Sequence, residues 1–110
     1  MSEWTTICQF EDLIPNTGIC ALFGKEHVAI FYCQRTEHLY AIDNFDPIAK
    51  ASVLSRGIMA SLKEVMYVAS PLYKQHFNLQ TGACLESPEY QLKTYNIRRE
   101  NNQVQLKQAS

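Results

Sequence analysis

The run from Val28 to Cys33 constrains this chain most, because it is apolar on both of its alternating sets. Residues two apart on a strand share a face, so Val28, Ile30 and Tyr32 point one way while Ala29, Phe31 and Cys33 point the other. Such a run is stable only when layers cover it on both sides, which makes it a central strand within a longer one, His27 to Cys33. Around it lie Thr5 to Cys8, Ile19 to Phe23 and Leu39 to Ile42, short runs rich in β-branched and aromatic residues. They are separated by the turn-forming stretches Pro15-Asn16-Thr17-Gly18, Gly24-Lys25-Glu26 and Gln34 to Glu37. No helical period links these runs, so the chain reads as all-β.

A second block of strands is expected at Val65 to Ala69, at Gln75 to Leu79, at Ala83 to Leu85 after a turn at Gln80-Thr81-Gly82, and at Gln91 to Arg98. Asn101-Asn102 predicts a hairpin turn into Gln103-Val104-Gln105-Leu106, whose polar and apolar residues alternate as on a half-exposed edge strand. From about Lys107 the chain is expected to fray. Between the two blocks, Asp43 to Ser61 shows little period, with one helical turn predicted around Ala49 to Val53. Its apolar content (Phe45, Ile48, Val53, Leu54, Ile58 and Met59) implies that it packs, and a long irregular segment that packs is a functional loop.

At 110 residues the chain is expected to form one domain, spanning 1–110, with a core that needs no metal or disulfide to staple it. A net charge of −1 gives no electrostatic footprint for nucleic acid or an anionic membrane, and neither partner is expected. The longest apolar run is far short of the ~20 residues of a membrane helix, and Met1-Ser2-Glu3-Trp4 lacks the features of a leader, so a cytoplasmic location is expected. Cys8, Cys20, Cys33 and Cys84 show no Cys-x-x-Cys step; Cys20 and Cys33 sit in apolar runs, where a free cysteine is expected as a small buried hydrophobe, and all four read as reduced thiols.

Two short segments carry the chemistry: Asp46-Pro47-Ile48, and Ser70-Pro71-Leu72-Tyr73 followed by Phe77-Asn78-Leu79-Gln80-Thr81-Gly82. They resemble the two loops of the Rieske ferredoxin family, Cys-x-His and Cys-x-x-His, in which two thiolates hold one iron of a [2Fe–2S] cluster and two imidazoles the other. In that resemblance the cysteine positions fall on Asp46 and Ser70, and the histidine positions on Ile48 and Tyr73. Leu54-Ser55-Arg56-Gly57 is similar to the turn that closes the first Rieske loop, and Pro47 and Pro71 keep the loop prolines. Residues 49 to 69 make a longer spacer than the family usually places between its ligand pairs.

None of the four residues suits the cluster. Isoleucine has no lone pair, a serine hydroxyl and a tyrosine phenol stay protonated near neutral pH, and a lone carboxylate is a hard ligand. The expectation is a Rieske-like antiparallel β-sandwich or open barrel whose small cluster lobe, with loops at about 43–59 and 69–76, has lost its ligands. Ile48 and Leu72 are expected to fill part of the cluster space, at ~1.5–3 kcal/mol for each fully covered side chain. Asp46 is expected to find solvent, a backbone N–H or a basic side chain.

From Trp4 to Leu106, including Trp4-Thr5-Thr6-Ile7-Cys8 and Val53 to Gly57, the chain also resembles the family of small subunits of bacterial NADH-dependent nitrite reductases. That resemblance implies an accessory role in an oxidoreductase of nitrate and nitrite assimilation that reduces nitrite to ammonium. FAD, sirohaem and an iron–sulfur cluster would belong to the large subunit, and no cofactor, metal or catalytic residue to this chain. The candidate contacts with the large subunit are the degenerate positions Asp46, Ile48, Ser70 and Tyr73, together with His76. His76 alternates with Gln75 and Phe77 and is expected to face outward beside the second loop, while His27 and His38 read as surface residues at strand starts. Two further readings stand beside this one: an electron carrier with donors such as Cys84, His76 and Asp46, and a regulatory module with an apolar cavity between residues 44–48 and 70–76.

Overall fold

The computed structural model describes residues 3–108. Eleven strands follow in chain order: β1 (Thr5–Gln9), β2 (Gly18–Phe23), β3 (Glu26–Cys33), β4 (His38–Asp43), β5 (Phe45–Asp46), β6 (Ala51–Ser52), β7 (Ile58–Leu62), β8 (Val65–Ala69), β9 (His76–Asn78), β10 (Tyr95–Glu100) and β11 (Gln103–Gln108). They form three three-stranded antiparallel sheets, ordered β1-β11-β10, β2-β3-β4 and β7-β8-β9, and the short hairpin β5-β6. Short 3₁₀ turns lie at Phe10–Asp12 and Leu54–Arg56, and no described helix is long and apolar enough to cross a membrane.

β3 is the middle strand of its sheet, and each face is covered by a different partner. Val28 and Ile30 join Leu13, Ala41, Tyr95, Val104 and Leu106 in a cluster against the β1-β11-β10 sheet. Ala29 and Phe31 join Ile42, Leu54, Val68, Phe77, Leu79, Cys84 and Leu92 against the β7-β8-β9 sheet. The doubly apolar run thus sits between two cores.

Several sequence expectations need correction. β11 occupies the centre of its sheet, paired with β1 through Thr5↔Leu106 and with β10 through Ile97↔Leu106, although its alternation is as read, with Val104 and Leu106 fully buried. Lys107 and Gln108 do not fray, since they pair with Asn96 and Tyr95; Ala109 and Ser110 lie outside the described residues, as does the start at Met1 and Ser2. The Ala83–Leu85 strand is reduced to isolated bridges, Phe77↔Cys84 and Ala83↔Gln91, and β10 begins only at Tyr95. In place of a helical turn at Ala49 to Val53, the chain turns at Pro47–Lys50 and pairs Ala51–Ser52 back onto Phe45–Asp46. Cys20 is exposed rather than buried, because β2 is an edge strand with Cys20 on its outer face; all four cysteines are free.

Candidate functional site

Two tight turns, one on each side of β7 and β8, bring the degenerate positions together. The first begins at Asp46, whose backbone carbonyl accepts from Lys50 N–H at 2.7 Å. The second begins at Ser70, whose N–H donates to Gln75 O at 2.8 Å and whose carbonyl accepts from Lys74 N–H at 3.0 Å. Proline follows each initiating residue, at Pro47 and Pro71, and fixes φ where the chain reverses.

Asp46 and Ser70 are both 0% exposed. One carboxylate oxygen of Asp46, Oδ1, accepts from the N–H groups of Ile48 (2.9 Å) and Ala49 (3.1 Å); the other, Oδ2, accepts from Ser70 Oγ–H at 2.5 Å. A buried carboxylate is tolerable when its lone pairs meet several donors, and three converge here. Of the three outlets expected for Asp46 it takes the backbone N–H groups, and it adds a hydroxyl in place of solvent or a cation. Asn44, also buried, fastens the first loop to the 3₁₀ turn: its side chain accepts from Ser55 N–H at 2.7 Å and its carbonyl from Leu54 N–H at 3.1 Å.

The other positions divide between inside and outside. Ile48 is half-buried and packs on the cluster around Phe31 and Phe77. Leu72 does not fill the centre as expected but stands 52% exposed, and Tyr73 is 62% exposed. Both ride the tip of the second turn, where Ser70-to-Gln75 closure aims side chains away from the core. Phe45, Ile58 and Leu85 add exposed apolar surface on the neighbouring hairpin, on β7 and after Cys84.

His76 lies on β9 beside the second turn, half-buried, with Nδ1 2.7 Å from Glu86 Oε2 and its N–H donating to Glu86 Oε1 at 2.8 Å. Burial raises the Glu86 carboxyl, but these bonds from His76 outweigh it and hold Glu86 below the ordinary carboxylate range. Phe77, next in chain, is fully buried, which matches the alternation read from the sequence. His27 and His38 are both exposed at strand starts.

Cys84 is buried, and burial pushes its thiol up, as do the charges of Glu86 and Asp46. It is therefore a poor thiolate donor at neutral pH. Cys33 differs: burial raises its thiol, yet hydrogen bonds from Thr36 and the Arg35 backbone outweigh that and lower it, at a site only 2% exposed. Among the described residues no three His, Cys, Asp or Glu side chains converge on one point, and Cys84, His76 and Asp46 form no such set. One cleft, of about 340 Å³, lies between β4 and β10, lined by His38, Tyr40, Leu79, Thr94 and Asn96.

Asn44 and Glu86 were missed by sequence reasoning. Asn44 carried one signal, a polar residue between the apolar runs that end at Ile42 and begin at Phe45; Glu86 carried none, since its partner is ten positions away.

A domain of three antiparallel sheets with two proline turns meeting at one end is the Rieske architecture, and the chain belongs to the Rieske-like [2Fe-2S] domain family, whose profile matches residues 3–107. Within it the chain sorts with the nitrite reductase small subunits. It is 46% identical over 107 residues to the nitrite reductase (NADH) small subunit of Salmonella typhimurium, covering 97% of this chain and 99% of that one. The solution structure of a nitrite reductase [NAD(P)H] small subunit from Erwinia carotovora superposes with a TM-score of 0.81 at 47% identity, covering 100% of this chain and 85% of that one. A nitrite reductase [NAD(P)H] large subunit from Klebsiella oxytoca is also similar, 33% identical over 101 residues, which is 92% of this chain and 10% of that protein.

The family implies a [2Fe–2S] cluster, and the residues at its ligand positions do not fit one. The Asp46 carboxylate is a hard oxygen donor already engaged by three hydrogen bonds, and the Ser70 hydroxyl proton is given to Asp46. Ile48 has no lone pair, and Tyr73 points to solvent.

Proposed function

We propose that this chain is the accessory small subunit of a cytoplasmic NADH-dependent nitrite reductase of nitrate and nitrite assimilation. It docks on the large catalytic subunit and supports it, while FAD, sirohaem and the iron–sulfur cluster that reduce nitrite to ammonium reside in that large subunit. The chain acts as one domain over residues 1–110 and supplies no catalytic group. The observation that carries this reading is the 46% identity to a nitrite reductase small subunit along 97% of the chain. The similarity to a segment of the Klebsiella large subunit supports the partnership, because there a segment like this chain is part of the same polypeptide as a large subunit.

The docking face is the end of the molecule formed by the two turns. Tyr73 and Leu72 project from it, and Phe45, Ile58 and Leu85 lie on the elements that frame it. Exposed apolar side chains gathered around two ordered loops are the composition of an interface core, and His76 with Glu86 supplies part of a polar rim. Asp46, Ile48 and Ser70 support this face from below, and Tyr73 and His76 touch the partner.

The test is co-expression of the tagged chain with a nitrite reductase large subunit. A stable complex is expected, with Tyr73→Glu weakening it at least about tenfold while leaving the isolated chain's unfolding midpoint unchanged. No association, together with nitrite reduction indifferent to deletion of this chain, would overturn the reading. Iron and sulfide assays on the purified chain separate it from an electron carrier, which must be coloured.

A further inference from the structure

We propose that the buried Asp46–Ser70 hydrogen bond is a latch that has taken over the cross-linking role of the cluster: it ties the first turn to the second and so presents Leu72 and Tyr73 as a preformed docking surface. The docking half of this inference rests on the function proposed above, and the latch itself does not.

The geometry is that of a two-sided clasp. Each latch residue opens a tight turn through its backbone, Asp46 through Lys50 N–H and Ser70 through Gln75 O and Lys74 N–H. Each also uses its side chain beyond that backbone closure. Asp46 Oδ1 organises its own turn through Ile48 and Ala49 N–H, leaving Oδ2 free to reach across to Ser70 Oγ at 2.5 Å. Ser70 Oγ in turn accepts weakly from Leu72 N–H at 3.4 Å, so the chain of bonds runs from the first turn to the residue that carries an exposed apolar side chain.

Among the described residues this is the sole side-chain hydrogen bond joining the 46–50 and 70–75 turns. Both partners are fully buried, and in a low-dielectric site a hydrogen bond to a carboxylate is strong while an orphaned partner is costly. The two positions are those where thiolates would hold a common iron. One hydrogen bond between them joins the same two loops with neither metal nor redox chemistry.

The experiment is amide hydrogen exchange by NMR on the full chain. In Ser70→Ala, exchange at Ile48, Ala49 and Lys74 is expected to accelerate by about tenfold or more, while Val28 and Ile30 in β3 change by less than about threefold. Asp46→Asn is the conservative control. Its amide oxygen still accepts from Ile48 and Ala49 and its NH₂ can donate to Ser70 Oγ, so both turns should stay near wild-type protection. Should Ser70→Ala fail to fold, Ser70→Cys keeps a weak donor and should give intermediate rates. Wild-type exchange at both turns in the Ala or Cys variant overturns the latch. Binding to the large subunit is measured on the same proteins: faster exchange with unaltered affinity overturns the docking half alone, and a wild-type chain that never binds overturns the functional reading while leaving the latch standing.

Discussion

A carboxylate with no exposed surface persists in a fold only when donors surround it, and Asp46 shows how many are needed. Three converge, two from its own turn and one from Ser70. Asp46→Ala would strand the Ile48 and Ala49 amides and the Ser70 hydroxyl at once, so a loss of about 2–4 kcal/mol is expected, read from urea unfolding curves. Glu86 is the contrasting case. Its side chain is 42% exposed, so screening keeps its contribution small. Its carboxyl is held below the ordinary range in the folded chain, so its stabilising contribution is present above the unfolded carboxylate range and is lost as pH falls through the folded value. Glu86→Gln should therefore remove part of the acid-side slope of the thermal midpoint below the ordinary carboxylate range and change little at pH 7. Gln75 marks a cost close by, because its Oε1 is buried without a partner among the described residues.

At the level of elements, the segment from β9 to β10 depends on one backbone position. Gly82 sits at φ +83°, and a Cβ there would run into the backbone carbonyl of Leu92, to which Gly82 O is already bonded through Leu92 N–H at 2.8 Å. Gly82→Ala therefore combines left-handed strain with a backbone clash that no rotamer relieves, and should lower stability by about 2–4 kcal/mol in thermal or urea unfolding. Periodicity made most strands legible: β3 as a doubly covered centre, β8 to the residue, and Phe77 turned inward, while His76 beside it is half-buried. It could not say which strands neighbour one another. The alternation of Gln103 to Leu106 fits an edge or a half-covered middle strand equally well, and only the return of β1 from the far end of the chain places β11 between two partners. Cys20 misled for the same reason, since an apolar run on an edge strand shows one side to solvent. The site was half legible. The resemblance to the Rieske loops pointed to both turns, whereas the bond across 24 positions from Asp46 to Ser70 belongs to tertiary geometry that no local pattern encodes.

The whole molecule is two cores sharing one strand, and this makes the end of the chain as important as its middle. The core on the Val28 and Ile30 face is completed by Val104 and Leu106 from β11 and by Tyr95 from β10. Without β11, β1 and β10 have no shared partner, because each pairs with β11 and not with the other. Removing residues 103–110 would thus open one face of β3, expose Val28 and Ile30, and leave the backbone of two strands unpaired. These losses fall together on a domain whose net stability is typically only ~5–15 kcal/mol. A chain ending at Asn102 is therefore expected to lack a cooperative thermal transition and its strand-type circular dichroism, and with them the order of the 46–50 and 70–75 turns, since the first follows β4 and the second joins β8 to β9 in the sheet packed on the other face of β3. Leu106→Ala is the milder form of the same change and should cost about 2–4 kcal/mol while still folding, because it removes side-chain packing and keeps the ladder. A truncated chain that unfolds cooperatively near the wild-type midpoint would mean that the β7-β8-β9 side carries the fold alone and that the two cores are independent.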